Sequence, residues 1–119
     1  MLKIKKLNLY NNFCLLKFQN NKNFIISGSD ILLATSVKEP FGLTLIEAMD
    51  KKTPVIASMS GGHKEIIINN YNGVLVNKSN INMFAKKTIE VLEKDKYRKN
   101  IIKNITKNIK KHINLLLQL

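Results

Sequence analysis

Glu39-Pro40-Phe41-Gly42-Leu43-Thr44-Leu45-Ile46-Glu47 decides the fold of this chain. Ile31-Leu32-Leu33-Ala34 precedes it and Ala48-Met49 follows. The apolar run ending at Thr35 is short and continuous, the pattern of a strand buried on both faces of a parallel sheet. Ser36 to Glu39 then reads as a turn. Pro40 stands just before or within the first turn of a helix, where its missing N–H costs nothing. That helix is predicted from Phe41 or Gly42 to Asp50, with Leu43, Ile46 and Ala48 toward the core and Lys51-Lys52 complementing its C-terminal dipole. A strand feeding a helix through a Gly turn, with a carboxylate on each side, suits a ligand that carries phosphate and hydroxyls. The helix N-terminus offers amide donors to the phosphate, and the acids offer acceptors to the hydroxyls.

The same alternation extends outward. Thr53-Pro54 opens a strand at Val55 to Ala57, and Ser58 to Gly62 is a flexible loop. Residues 63–68 read as a short helix, Asn72-Gly73 as a turn, and Val74 to Val76 as a third strand. Ser79 or Asn80 is the expected cap of the next helix, with Ile81, Phe84, Ala85, Thr88, Ile89 and Leu92 at helical spacing. A last helix is expected from Lys96, its apolar stripe formed by Ile101, Ile102, Ile105, Ile109, Ile113 and Leu116. Strand–helix alternation with right-handed crossovers predicts an α/β fold on a parallel sheet. Upstream, residues 1–12 read as a short strand or arm and residues 13–18 as a strand. Phe24-Ile25-Ile26 is ambiguous, and Ser27-Gly28-Ser29-Asp30 breaks it. Three segments result: 1–27 as remnant strands, 28–95 as the Rossmann-like core and 96–119 as a basic amphipathic helix.

At 119 residues the length suits one domain, and an apolar share of 45% supplies a core. The formal charge of +12 comes from 19 Lys and one Arg, beside 16 Asn and 16 Ile. Lys, Asn and Ile share A/T-rich codons, and phosphate and base readers favour the Arg fork. The charge therefore reads as composition before it reads as a nucleic-acid surface. Cys14 stands alone and is expected as a buried small apolar residue, without disulfide or cysteine metal cluster. The first residues show no signal-peptide pattern and no run spans a bilayer, so the cytoplasm is the expected compartment. His63, beside the glycines, reads as an exposed loop histidine, with ligand contact as the lesser reading. His112 lies on the Lys-rich tail, and no metal-ligand spacing appears.

Several ordered blocks carry a family resemblance over about residues 18–110. Ser29-Asp30-Ile31-Leu32-Leu33, Ser36, Glu39-Pro40-Phe41-Gly42-Leu43 and Glu47-Ala48-Met49 resemble the core of the family-four retaining glycosyltransferases, which have the two-domain GT-B architecture and a Glu-x7-Glu hallmark. Thr53-Pro54-Val55-Ile56-Ala57-Ser58, Gly61-Gly62-His63-Lys64-Glu65 and Asn72-Gly73-Val74-Leu75-Val76 continue the likeness. By this resemblance the ligand is a nucleotide-diphosphate sugar, UDP- or GDP-linked, with no further cofactor and no metal. Glu39, Phe41 and Gly42 would meet the donor sugar, the backbone of Gly42, Leu43 and Thr44 its phosphate, and Glu47 the ribose hydroxyls. Gly61 and Gly62 would let the next loop approach. Helix capping by Glu39, a solvated surface role for Glu47 and a plain turn at Gly61-Gly62 are the competing readings.

The resemblance also implies what to look for elsewhere. Such enzymes carry a second, acceptor-binding domain of GT-B type, and basic residues that neutralise the diphosphate. Lys3, Lys5, Lys6, Lys17 and Lys22 are candidates by type alone. The expectation is therefore a truncated donor-binding part, inactive alone and partnered with a separate N-terminal GT-B domain. A different class remains beside it: a non-catalytic basic module whose helix bearing Lys96, Lys99, Lys103, Lys107, Lys110 and Lys111 meets nucleic acid or an anionic membrane surface.

Overall fold

A computed structural model describes residues 2–38 and 41–118; of the side chains of Leu2, Lys110, His112, Ile113, Leu115 and Leu116 nothing is described. Glu39 and Pro40, central to the sequence reading, lie outside the described residues, as do the side chains of His112, Ile113 and Leu116. The chain runs α1 (Leu2–Lys6), a 3-10 turn (Tyr10–Asn12), α2 (Lys22–Ser27), β1 (Leu32–Ala34), α3 (Leu43–Asp50), β2 (Val55–Ser58), α4 (Gly61–Ile66), β3 (Val74–Val76), α5 (Ile81–Glu93) and α6 (Asp95–Leu117).

The sheet has the order β1-β2-β3, all parallel, with Leu32 opposite Val55 and Ile56 opposite Val74. Each strand returns beside the previous one through a helix, so all three strand ends open on the same edge. β2 is central and all four of its residues are buried. β1 is less covered than a doubly buried strand would be, with Leu33 half exposed.

The core joins this sheet to α3, α4, α5 and α6 through Leu45, Met49, Ile56, Val74, Val91, Ile101 and Ile105. On α3 the inward side chains are Leu45, Ile46, Ala48 and Met49, whereas Leu43, expected in the core, is exposed in the first turn. On α5 only Val91 is fully buried among the described residues, with Met83, Phe84 and Thr88 partly covered. Ile81, Ala85, Ile89 and Leu92, read as core, face out. The stripe is rotated toward 84, 88 and 91, another i, i+4, i+7 set on the same cylinder. Asn80 caps α5, its Oδ1 accepting the Met83 N–H at 3.0 Å. α6 packs its Ile101 and Ile105 stripe back on the core and against α3. Among the described residues no helix is long and apolar enough to cross a membrane.

The N-terminal segment departs most from expectation. Residues 2–27 form helices and a turn, and no strand. Residues 13–19 run without secondary structure and are exposed, Phe18 at 90% and Leu15 at 72%. Cys14 is exposed with them. A strand is defined by its hydrogen-bonded neighbour; this apolar run has none among the described residues, and so neither pairs nor buries.

Candidate functional site

The site is built where the strand ends, the turns and the helix starts meet. Gly42 is the N-cap of α3 at φ +67°. This left-handed conformation costs a residue with a Cβ about 1–2 kcal/mol. Space argues the same way. A Cβ on Gly42 would stand 2.6 Å from Ile66 Cδ1 and 3.3 Å from the Gly62 carbonyl oxygen. The turn thus brings α3 and α4 backbone to backbone, and Gly42 is the residue that permits it. The helical ladder begins with the Leu45 and Ile46 N–H groups, both donating to the Gly42 carbonyl. Leu43 and Thr44 precede it and supply the first-turn amides.

A cleft of 240 Å³ opens at this point, lined among others by Ala34, Thr35, Ser36, Gly42, Thr44 and His63. It lies beyond the carboxyl end of β1, where open α/β sheets place their ligands. His63 is the correction here: the ring is buried, not an exposed loop side chain. α4 begins at Gly61, two residues before the expected start, and this turns His63 inward. Its Nδ1 lies 2.8 Å from the Ser58 carbonyl oxygen, 3.1 Å from Ser60 Oγ and 3.3 Å from Ser58 Oγ. A carbonyl only accepts, so Nδ1 carries the hydrogen in this contact. The Ser58 hydroxyl is committed in turn, donating to the Ser36 carbonyl. One chain of contacts therefore ties the loop after β1, the end of β2 and α4 around the cleft.

The remaining sequence candidates distribute around it. Glu47 is in the second turn of α3, and its Oε1 pairs with Lys22 Nζ at 3.1 Å. Its other oxygen, Oε2, is buried without a hydrogen-bond partner among the described residues. Glu47 does not line the 240 Å³ cleft. Phe41 is exposed beside the turn, Leu43 faces solvent, Gly61 is exposed, and Gly62 is buried under Gly42. Lys22 was a phosphate candidate by type only; the structure joins it instead to Glu47. Sequence reasoning missed Thr35 and Ser36 as lining residues and held ligand contact by His63 only as a lesser reading, although Ser58 and Ser60 shortly before a histidine after a strand are a hydrogen-bonding signal. No group of three or more His, Cys, Asp or Glu side chains is placed to hold a metal ion among the described residues.

A larger depression of 930 Å³ lies at the α5–α6 junction, lined by residues including Lys94, Asp95, Lys96, Tyr97 and Lys103. It shares no residue with the cleft and sits away from the strand ends. Local ion pairs Lys99–Asp95 at 2.9 Å, Arg98–Asp95 at 2.5 Å and Lys94–Glu90 at 3.8 Å engage two of its four lining lysines, whereas Lys96 and Lys103 have no ion pair among the described residues.

With this geometry, comparison with known proteins is decisive at the family level. The profile of glycosyl transferases group 1 matches residues 2–108, and the chain belongs to that family. An uncharacterized glycosyltransferase of Methanocaldococcus jannaschii is 32% identical over 104 residues, which are 83% of this chain and 30% of that protein. The C-terminal domain of a glycosyl transferase group 1 family protein, LpcC, of Francisella tularensis superposes with TM-score 0.80 at 29% identity, covering 92% of this chain and 58% of that one. Anabaena HepE in complex with UDP and glucose gives TM-score 0.86 at 25% identity, covering 93% and 30%. The parallel sheet with flanking helices matches these GT-B structures, and the chain spans about a third or less of the full-length relatives it matches.

Proposed function

We propose that this chain forms the donor-side wall of a retaining glycosyltransferase and binds a nucleotide-diphosphate sugar across the carboxyl edge of its sheet. The observation that carries this reading is the convergence of the α3 start, the Ser36 loop and His63 on one cleft. The diphosphate lies at the first turn of α3, with the backbone of Leu43, Thr44 and Gly42 toward its oxygens. Glu39 and Phe41 flank the sugar. Glu47 accepts the two ribose hydroxyls; its pair with Lys22 is solvent-exposed and worth at most about 1 kcal/mol, so a ligand displaces it readily. UDP is the favoured nucleotide because the HepE structure holds UDP and glucose.

In the transfer, the bond between the sugar C1 and the distal phosphate oxygen breaks, and the electron pair stays on that oxygen. The acceptor oxygen bonds to C1, and its proton passes to the departing phosphate oxygen. This chain's share is electrostatic: amides and the positive end of α3 stabilise charge on the departing phosphate. The acceptor is held by a second GT-B domain, so the 119 residues alone transfer no sugar. The basic-module reading is disfavoured because α6 turns Ile101 and Ile105 onto the core, the packing of an ordinary core helix.

Calorimetric or NMR titration with UDP and GDP tests the reading. Saturable UDP binding is expected, with shifts at Thr44 and His63. Glu47→Ala weakens it by about 10- to 100-fold, the loss of two hydrogen bonds to a charged acceptor. Absence of saturable binding to either nucleotide refutes it.

A further inference from the structure

Beside the donor cleft lies a second groove of 440 Å³, lined among others by Val37, Lys38, Met59, Gly61, Lys64 and Lys78. Each lysine comes from a different strand end: Lys38 from the loop after β1, Lys64 from α4 after β2, Lys78 from the loop after β3. Among the described residues no carboxylate lines this groove and none of the three lysines is ion-paired. In a Lys-rich chain a lysine near a groove is unremarkable; at the α5–α6 depression two of the four lining lysines, Lys94 and Lys99, are paired with Glu90 and Asp95. Here three like charges converge on one concavity with no ion-pair partner among the described residues, which focuses positive potential at that spot. Val37 and Lys38 directly follow the Ser36 that lines the donor cleft, and Gly61 begins the helix that carries His63, so the same loop and helix contribute to both concavities.

We infer that this groove is a second oxyanion site, which receives the phosphate or carboxylate of an acidic acceptor next to the bound donor. The assignment rests on the donor reading above for the identity of the neighbour, not for the groove itself. Lysine suits the role: a compact, mobile ammonium meets an oxyanion of variable position as a point charge, without the fixed fork of Arg. Reliance on three exposed charges also makes the site salt-sensitive.

The test follows lysine side-chain NMR signals during titration with inorganic phosphate, with and without saturating UDP. Lys38, Lys64 and Lys78 are expected to move on one saturation curve in both conditions. Lys64→Glu should weaken phosphate binding about tenfold, while Lys86→Glu on α5, with the same change in net charge, should alter it by less than about twofold. Lys64→Gln serves where reversal disturbs folding. Unsaturable shifts no larger than those of Lys86 overturn the site. UDP that moves the three lysines itself and displaces phosphate also overturns it, because the groove then belongs to the donor. Phosphate saturation without any UDP binding supports the groove and refutes the donor reading instead.

Discussion

Replacing Gly42 by Ala isolates the backbone device on which the site depends. Two costs add. The first is conformational, since φ +67° is unfavourable by about 1–2 kcal/mol for a residue with a Cβ. The second is steric: the new Cβ meets Ile66 Cδ1 at 2.6 Å. Cδ1 is the far end of a flexible side chain, so shifting it costs about 1 kcal/mol, the low end of overpacking. The sum is about 2–3 kcal/mol. With a urea slope of about 1–3 kcal/mol/M, the unfolding midpoint should fall by roughly 1 M. Ile66→Val removes the clashing methyl and separates the costs. In a double-mutant cycle, G42A and I66V should couple favourably by about 1 kcal/mol, leaving the backbone cost intact. Gly28→Ala is the control, since its Cβ would find only ordinary contacts at 3.5 and 3.8 Å; it should be neutral or stabilising by about 0.4–1 kcal/mol. If G42A and G28A unfold within about 0.5 kcal/mol of one another, the left-handed cap is not what Gly42 supplies, and the reasoning fails.

Three further outcomes are expected. Asn72 is fully buried, accepting the Ile68 N–H at 2.8 Å and donating to the Ile66 carbonyl at 3.2 Å. Asn72→Leu leaves both backbone groups without it and should cost about 2–4 kcal/mol in urea unfolding. Ile105→Ala should cost about 2–5 kcal/mol, because Ile105 is 1% exposed in the core that includes Met49 and Val91. In alkaline solution, Tyr97 matters: burial first, and the Glu90 charge second, raise its hydroxyl above the ordinary tyrosine value of 10.0. The folded state then favours the neutral phenol, which donates to Asn70 Oδ1 at 2.6 Å. That contribution is complete below the unfolded value and is lost as pH rises through the folded one. Tyr97→Phe should flatten the loss of stability above about pH 10, read by alkaline melting curves.

The elements around the turn were legible because several local signals agree there: a short apolar run, Pro and Gly at a helix start, and Asn-Gly before β3. The three strands and the cap at Asn80 follow from such short-range chemistry. What was not legible depends on contacts distant in sequence. Residues 13–18 have strand composition, but pairing requires a neighbour that composition does not specify. Cys14 was expected inside because small apolar side chains usually are; without a sheet above it, it lies outside. His63 was misplaced for a local reason. Gly61-Gly62 are poor helix formers, so the helix was begun after them, and that offset put His63 on the wrong face. On α5 the sequence allows two overlapping apolar stripes, and only the position of the sheet selects 84, 88 and 91. The lysine groove was hidden in a uniform background of lysine, since nothing in the sequence says which three loops converge.

β1 is an edge strand, and elsewhere the chain carries exposed Phe13, Leu15, Leu16 and Phe18. An open sheet edge and an exposed apolar run each invite copies of the chain to stick together. The formal charge of +12 opposes this, because like-charged molecules repel before their edges meet. The excess of lysine thus acts as a colloidal guard whose range is the Debye length, about 10 Å at 0.1 M salt and 3 Å at 1 M. Added salt, by shortening that range, should turn a dispersed solution of this chain into an associating one.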